Sequence, residues 1–129
     1  MKLEFIKNIN GYDEHAIRLS DFDSSQALIF SEAIGRLISD GEKPIDISSL
    51  DFIRPVNCRL TLRVSADDSG ISTTDHINFF CDLTASTYQL MGALLQPFCR
   101  KESKGYQWLY DIDTPIGFLF SAGKDMPGE

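Results

Sequence analysis

Cys81 follows His76 by five residues, and this is the first pair in the sequence whose types could do chemistry. An imidazole that takes a thiol proton generates a thiolate nucleophile. An odd separation along a strand, however, puts two side chains on opposite faces. The spacing therefore predicts no dyad, and Cys58, Cys81 and Cys99 read as buried structural thiols. Metal ligation lacks its usual spacings, since the two histidines and three cysteines form no CxxC, HxxxH or HxH. Asp67-Asp68 and Asp111/Asp113 could touch a hard cation, but they lack the ligand series and glycine of a calcium loop and read as turn residues. Asp82, between Cys81 and Leu83, points with Phe80 to the less buried face of its strand. It reads as a solvated or hydrogen-bonded carboxylate, not a general acid with a raised pKa. No nucleophile elbow, GxGxxG or P-loop is present. The expectation is a non-catalytic protein with no cofactor and no metal.

Binding is the remaining class. Nineteen acidic residues against twelve basic ones give a formal net charge of −7. That balance repels nucleic acid and anionic membranes and favours encounter with basic partners. Arg59, Thr61 and Arg63 make one small basic stripe, and Arg100, Lys101 and Lys104 another; against the overall charge both read as solvated strand and helix ends. The segment Tyr106-Gln107-Trp108-Leu109-Tyr110-Asp111-Ile112-Asp113 is the best surface candidate. Strand alternation puts Tyr106, Trp108 and Tyr110 on one face and Gln107, Leu109 and Asp111 on the other. Facing outward, the aromatics form an acid-ringed patch of the kind interfaces favour; facing inward, Trp108 anchors the core and the acids belong only to a loop.

The elements that must position these residues are legible from periodicity. Leu3–Ile9 and His15–Leu19 read as short strands about the turn Asn10-Gly11-Tyr12-Asp13. Phe30, Ala33, Ile34, Leu37 and Ile38 form one helical stripe, with Asp23 and Gln26 as a capping box, Phe22 stapling onto Ala27 and Gly41 as the stop, which predicts a helix over Ser24–Asp40. A short strand at Ile45 and Ile47 follows, then a regular strand at Cys58, Leu60, Leu62 and Val64. Asp67-Asp68-Ser69-Gly70 reads as the hairpin turn into a returning strand at Ile77, Phe79, Cys81 and Leu83. Met91, Leu94, Leu95, Phe98 and Cys99 form a second helical stripe, with Ser86 and Gln89 as its capping box and Pro97 loosening its last turn. Tyr106–Asp111 and Ile116–Ser121 complete the strands, and residues 123–129 read as a fraying tail. The predicted fold is a single α+β domain over residues 1–129, a mostly antiparallel sheet of about six or seven strands with two helices packed on one face.

A chain of 129 residues suits one domain able to stand on its own core. No apolar run nears the roughly 20 residues of a membrane span, the first residues do not read as a signal peptide, and an odd, sparse cysteine set points to a reducing cytoplasm.

The sequence Gly105-Tyr106-Gln107-Trp108-Leu109 followed by Ile116-Gly117-Phe118-Leu119-Phe120-Ser121-Ala122-Gly123 resembles the C-terminal hairpin of small bacterial immunity proteins, the α+β antidotes encoded beside polymorphic or contact-dependent toxins. Leu83-Thr84 leading into a helix that ends Gln96-Pro97-Phe98 is similar too. The resemblance implies binding without chemistry: an acidic antidote steers onto the positive cleft of a toxin and occludes it. Asp67, Asp68, Asp75, Asp111 and Asp113 are the expected loop carboxylates, with Tyr110 as rim anchor. Two other readings stay open. One is a small-molecule-binding domain, marked by a concave apolar cavity with a few convergent polar groups; the other is a homo-oligomer joined through an exposed strand face or sheet edge.

Overall fold

A computed structural model of the chain describes residues 1–9, 14–39, 43–101, 105–112 and 115–122. Strand β1 (Lys2–Ile6) and strand β2 (His15–Ser20) pair antiparallel, Leu3 opposite Leu19 and Phe5 opposite Ile17. The expected turn at Asn10–Asp13 lies outside the described residues. Helix α1 (Ser24–Ser39) starts where the sequence places it. Gln26 N–H donates to Asp23 Oδ1 at 2.8 Å, and Asp23 N–H donates back to Gln26 Oε1 at 3.2 Å, the reciprocal capping box. The Phe22 ring, expected to staple the helix, stacks on Phe120 at 4.1 Å and meets Phe98 edge-on at 6.0 Å. The expected Asp40 end and Gly41 stop lie outside the described residues.

After β3 (Ile45–Asp46), Ile47–Ser49 turns into a short 3-10 helix capped by Asp46, whose carboxylate accepts Ser48 N–H. Strand β4 (Arg54–Pro55) had no sequence signal, because two residues carry no alternation. It lies parallel to β1, and Asn57 prolongs the pairing by exchanging two hydrogen bonds between its side-chain amide and the Phe5 backbone.

Strand β5 (Arg59–Val64), β6 (Gly70–Thr73) and β7 (Asn78–Leu83) depart from the expected hairpin. β7 lies parallel to β5 and antiparallel to β6, so it is inserted between them, in the order β3-β5-β7-β6. The cause is local. Asp75 accepts the N–H groups of Ile77 and Asn78 at 2.9 and 2.8 Å, and His76 takes a left-handed φ of 60°. That tight turn locks β6 to β7 and leaves β5 only the far edge of β7. His76 is therefore a turn residue outside the strand that carries Cys81.

Helix α2 (Ala85–Arg100) runs through Pro97 and ends three residues later. Its cap is Thr84, whose hydroxyl accepts Thr87 N–H, and not the expected Ser86–Gln89 pair. Strand β8 (Tyr106–Tyr110) pairs antiparallel with β9 (Ile116–Ser121), and β9 lies parallel to β2. Sheet order here is β4-β1-β2-β9-β8.

The single, mostly antiparallel sheet of the sequence reading is thus corrected to two mixed sheets. Among the described residues there are nine strands and two helices, an α+β architecture. Strands near both ends of the described chain, with β4 from the middle, build one sheet, and β3, β5, β6 and β7 build the other. The helices bridge the two sheets and do not simply cover one. Phe30 of α1 packs on Phe118 and Phe120 of β9, while the Tyr88 hydroxyl of α2 donates its proton to the Cys81 carbonyl at 2.8 Å, shared with that of Arg63 at 3.0 Å. Phe5 meets Phe79 at 4.8 Å and joins the sheets directly. These contacts make one continuous apolar core.

Trp108 is opposite Leu119 but Tyr110 is opposite Phe118, so a bulge at Leu109 breaks the alternation of β8. Tyr106 and Trp108 stay on the face away from the core, and Tyr110 turns into it. Gly117 is the other half of this arrangement. A Cβ there would lie 2.6 Å from Trp108 Cζ3, because the indole lies across the glycine. Gly117→Ala should therefore destabilise the fold by about 1–3 kcal/mol and red-shift the emission of the lone tryptophan as it lifts off the sheet. Urea titration followed by fluorescence measures both; unchanged stability and emission would contradict the packing.

Candidate functional site

An open groove of about 480 Å³ runs between α2 and β8. Thr87, Leu90 and Leu94 of α2 form one wall, at the i, i+3, i+7 spacing of a helix face. Residues 108–112 form the other, and Asp68 closes the margin. The groove follows the outer margin of β8 and the residues just after it. The sheet order agrees: among the described residues β8 has β9 as its one strand neighbour. The bulge turns Leu109 and Tyr110 both inward, where they are buried beneath this margin.

The groove is apolar within and acidic beside it. Leu90 and Ile112, on opposite walls, are each 66% exposed, the highest values among the large apolar side chains described. Other exposed apolar residues are scattered singly or, like Leu28 and Ile29 on α1, lie outside the groove. Asp68 and Asp111 are exposed. The Asp68 carboxylate accepts Thr84 N–H at Oδ1 and the Thr87 hydroxyl at Oδ2, both at 2.7 Å. It thereby sits at the positive end of the α2 dipole, and these bonds, that from Thr84 N–H foremost, hold its carboxyl below the usual carboxylate range.

The six residues expected from sequence divide as follows. Asp68, Tyr110 and Asp111 come together in the groove. Asp67 is exposed beside Asp68. Tyr110 is a correction, because it is buried and forms floor, where a rim anchor was expected. Asp75 does not join them. It belongs to the turn at the opposite end of β6 from Asp68, where it also accepts Asn78 Nδ2 at 2.9 Å. Bonds to Asn78, then Ile77, hold its carboxyl well below the usual range. Asp113 lies outside the described residues. Sequence reasoning missed Leu90, and it put Ile112 in the candidate segment without a contact role of its own. For Leu90 the signal was there: an apolar residue set off the main stripe of an amphipathic helix, next to Met91.

Burial pushes the Cys58 and Cys81 thiols up to about 12, so neither supplies a thiolate near neutrality. Asp82 makes a two-bond pair with Arg63 at 2.7 and 2.8 Å, and the Arg63 guanidinium lies 4.3 Å from the Phe80 ring centre. Arg59 pairs with Asp46 at 3.0 Å, so both cations of the expected basic stripe face carboxylates. Among the described residues, no three His, Cys, Asp or Glu side chains converge as metal ligands would, and no helix is long and apolar enough to cross a membrane.

Asp68 generates a pH prediction. A carboxylate whose folded pKa lies below its unfolded value stabilises the fold above the unfolded value, near 4, and loses that contribution as pH falls through the folded one. Asp68→Asn should cost about 0.5 kcal/mol at pH 7, a small figure because the group is exposed and screened. The gap from wild type should shrink below about pH 4. Urea unfolding at pH 7 and pH 3 measures it, and a gap independent of pH would show that the charge at the helix end is not the cause.

Compared with known proteins, the chain matches no family model, no curated protein and no solved structure.

Proposed function

We propose that the chain is a non-catalytic, cytoplasmic protein-binding domain of the immunity type, an antidote that neutralises a basic toxin by covering its site. The observation that carries this reading is the groove between α2 and β8, where exposed Leu90 and Ile112 stand beside exposed Asp68 and Asp111 on a chain of net charge −7. Carboxylates steer a positive partner and set orientation, and apolar side chains supply the desolvated contact that holds it. The pairing of Arg59 and Arg63 with carboxylates also supports a protein partner over a nucleic acid, because it leaves that strand face without an uncompensated basic stripe.

A second reading, a small-molecule site, draws on the same groove, since about 480 Å³ falls within the range of ligand pockets. The exposure of Leu90 and Ile112 favours a protein, because a small ligand is normally enclosed on most sides.

Retention from native lysate at low salt should isolate one basic protein in stoichiometric amount, and release it as salt rises and the screening length falls to about 8 Å. With that partner purified, Asp67→Lys combined with Asp111→Lys should slow association about tenfold or more at low salt while leaving the melting temperature unchanged. Both positions are exposed, and Asp68 is left in place to hold the helix end. Association insensitive to both salt and charge reversal would refute the steering surface.

A further inference from the structure

We propose that the groove between α2 and β8 seats one large apolar side chain of the partner, aromatic by preference, carried on a segment with a lysine or arginine on either side of it. This inference rests on the protein-binding reading and adds the chemistry of what binds. The groove offers Leu90 and Leu94 from the helix and Trp108, Leu109 and Ile112 from the strand margin. An apolar ligand group desolvates Leu90 and Ile112, the most exposed of these. Large aromatic residues are the side chains that most often carry binding energy from such a central, partly enclosed position.

The flanking cations follow from charge complementarity. Asp68 approaches from the margin of the α2 N-terminus and Asp111 from the end of β8, so acid comes from two separate elements. Thr84 and Thr87 use one accepting position on each Asp68 oxygen. An ionised carboxylate offers about four such positions, and its negative charge suits an ammonium or guanidinium. The same two threonine bonds fix the carboxylate in place, so binding a cation there costs little side-chain entropy. An acidic or uncharged segment would find the apolar walls but also two carboxylates it cannot satisfy.

The test is a titration of the full chain, uniformly labelled with nitrogen-15, with capped Arg-Lys-Phe-Lys-Arg, followed by amide shifts. Saturable shifts should be confined to residues 87–94 and 108–112. Affinity should fall about tenfold or more when glycine replaces the phenylalanine, and likewise for the protein variant Leu90→Ser with Ile112→Ser. Both replaced side chains are exposed, so the fold should be kept, and the untouched amide spectrum of the remainder verifies it.

Equal binding of the glycine peptide would overturn the proposal in favour of a diffuse ion atmosphere. Binding of phenethylammonium as tight as that of the peptide would overturn it in favour of a small-cation site. Shifts at the same amides that grow with protein concentration, without peptide, would assign the groove to a second copy of the chain. If the basic protein isolated from lysate binds the serine variant as well as wild type, the groove inference fails while the protein-binding reading stands. If the peptide behaves as expected but no basic protein binds, it is the antidote reading that fails.

Discussion

Parallel pairing of β2 with β9 is the constraint on which the rest of the structure depends. It brings residues 15–20 beside residues 116–121, so the chain must travel out through α1, build the β3-β5-β7-β6 sheet and return through α2 before the first sheet can close. Such long-range pairing bears the entropy of closing a large loop, and apolar contact repays it: Ile17 lies beside Phe118 and Leu19 beside Phe120, all fully buried. Phe30, Phe22 and Phe98 then converge on Phe120 from both helices and the segment before α1. Once β9 is fixed, β8 can only lie at its free edge, next to α2. The groove is a consequence of that placement.

Two local devices turn a strand margin into a groove with mixed chemistry. The bulge at Leu109 sends Trp108 outward and Tyr110 inward, where regular alternation would have put them on one face. Gly117 makes the outward position habitable, since any side chain there would collide with the indole. On the helix side, Asp68 reaches from the turn before β6 to the backbone of Thr84, which anchors that turn against the α2 N-terminus and leaves a carboxylate at the groove's margin. One residue thus links the second sheet, the helix and the surface.

Much of this was legible in the sequence wherever the cause was local. The capping box at Asp23 and Gln26 and the apolar stripe of α1 depend on neighbours within a few residues and stand as read, and so does the antiparallel pairing of β8 with β9, but not its bulge. The sheet count and strand order were not legible, because β5 and β7 present the same alternation whether they pair directly as a hairpin or in parallel around an inserted strand. Gly70 to Thr73 is too short and too polar to announce β6, and it is Asp75, read as a surface carboxylate, that builds the turn responsible. The bulge had a faint mark in Gly117, a glycine inside an otherwise apolar strand. Of the site, the acidic and aromatic half came from sequence, but Leu90 and Ile112 gain meaning only when α2 and β8 lie side by side.

On the proposed function, this chain works by holding a basic protein against the margin between α2 and β8. Hydrogen exchange of the backbone amides, measured with and without the partner retained from lysate, tests it most directly. Added protection is expected at residues 87–94 and 108–112, with α1 unchanged. Protection centred on Leu28 and Ile29, on the outer side of α1, with the groove amides exchanging as before, would contradict it.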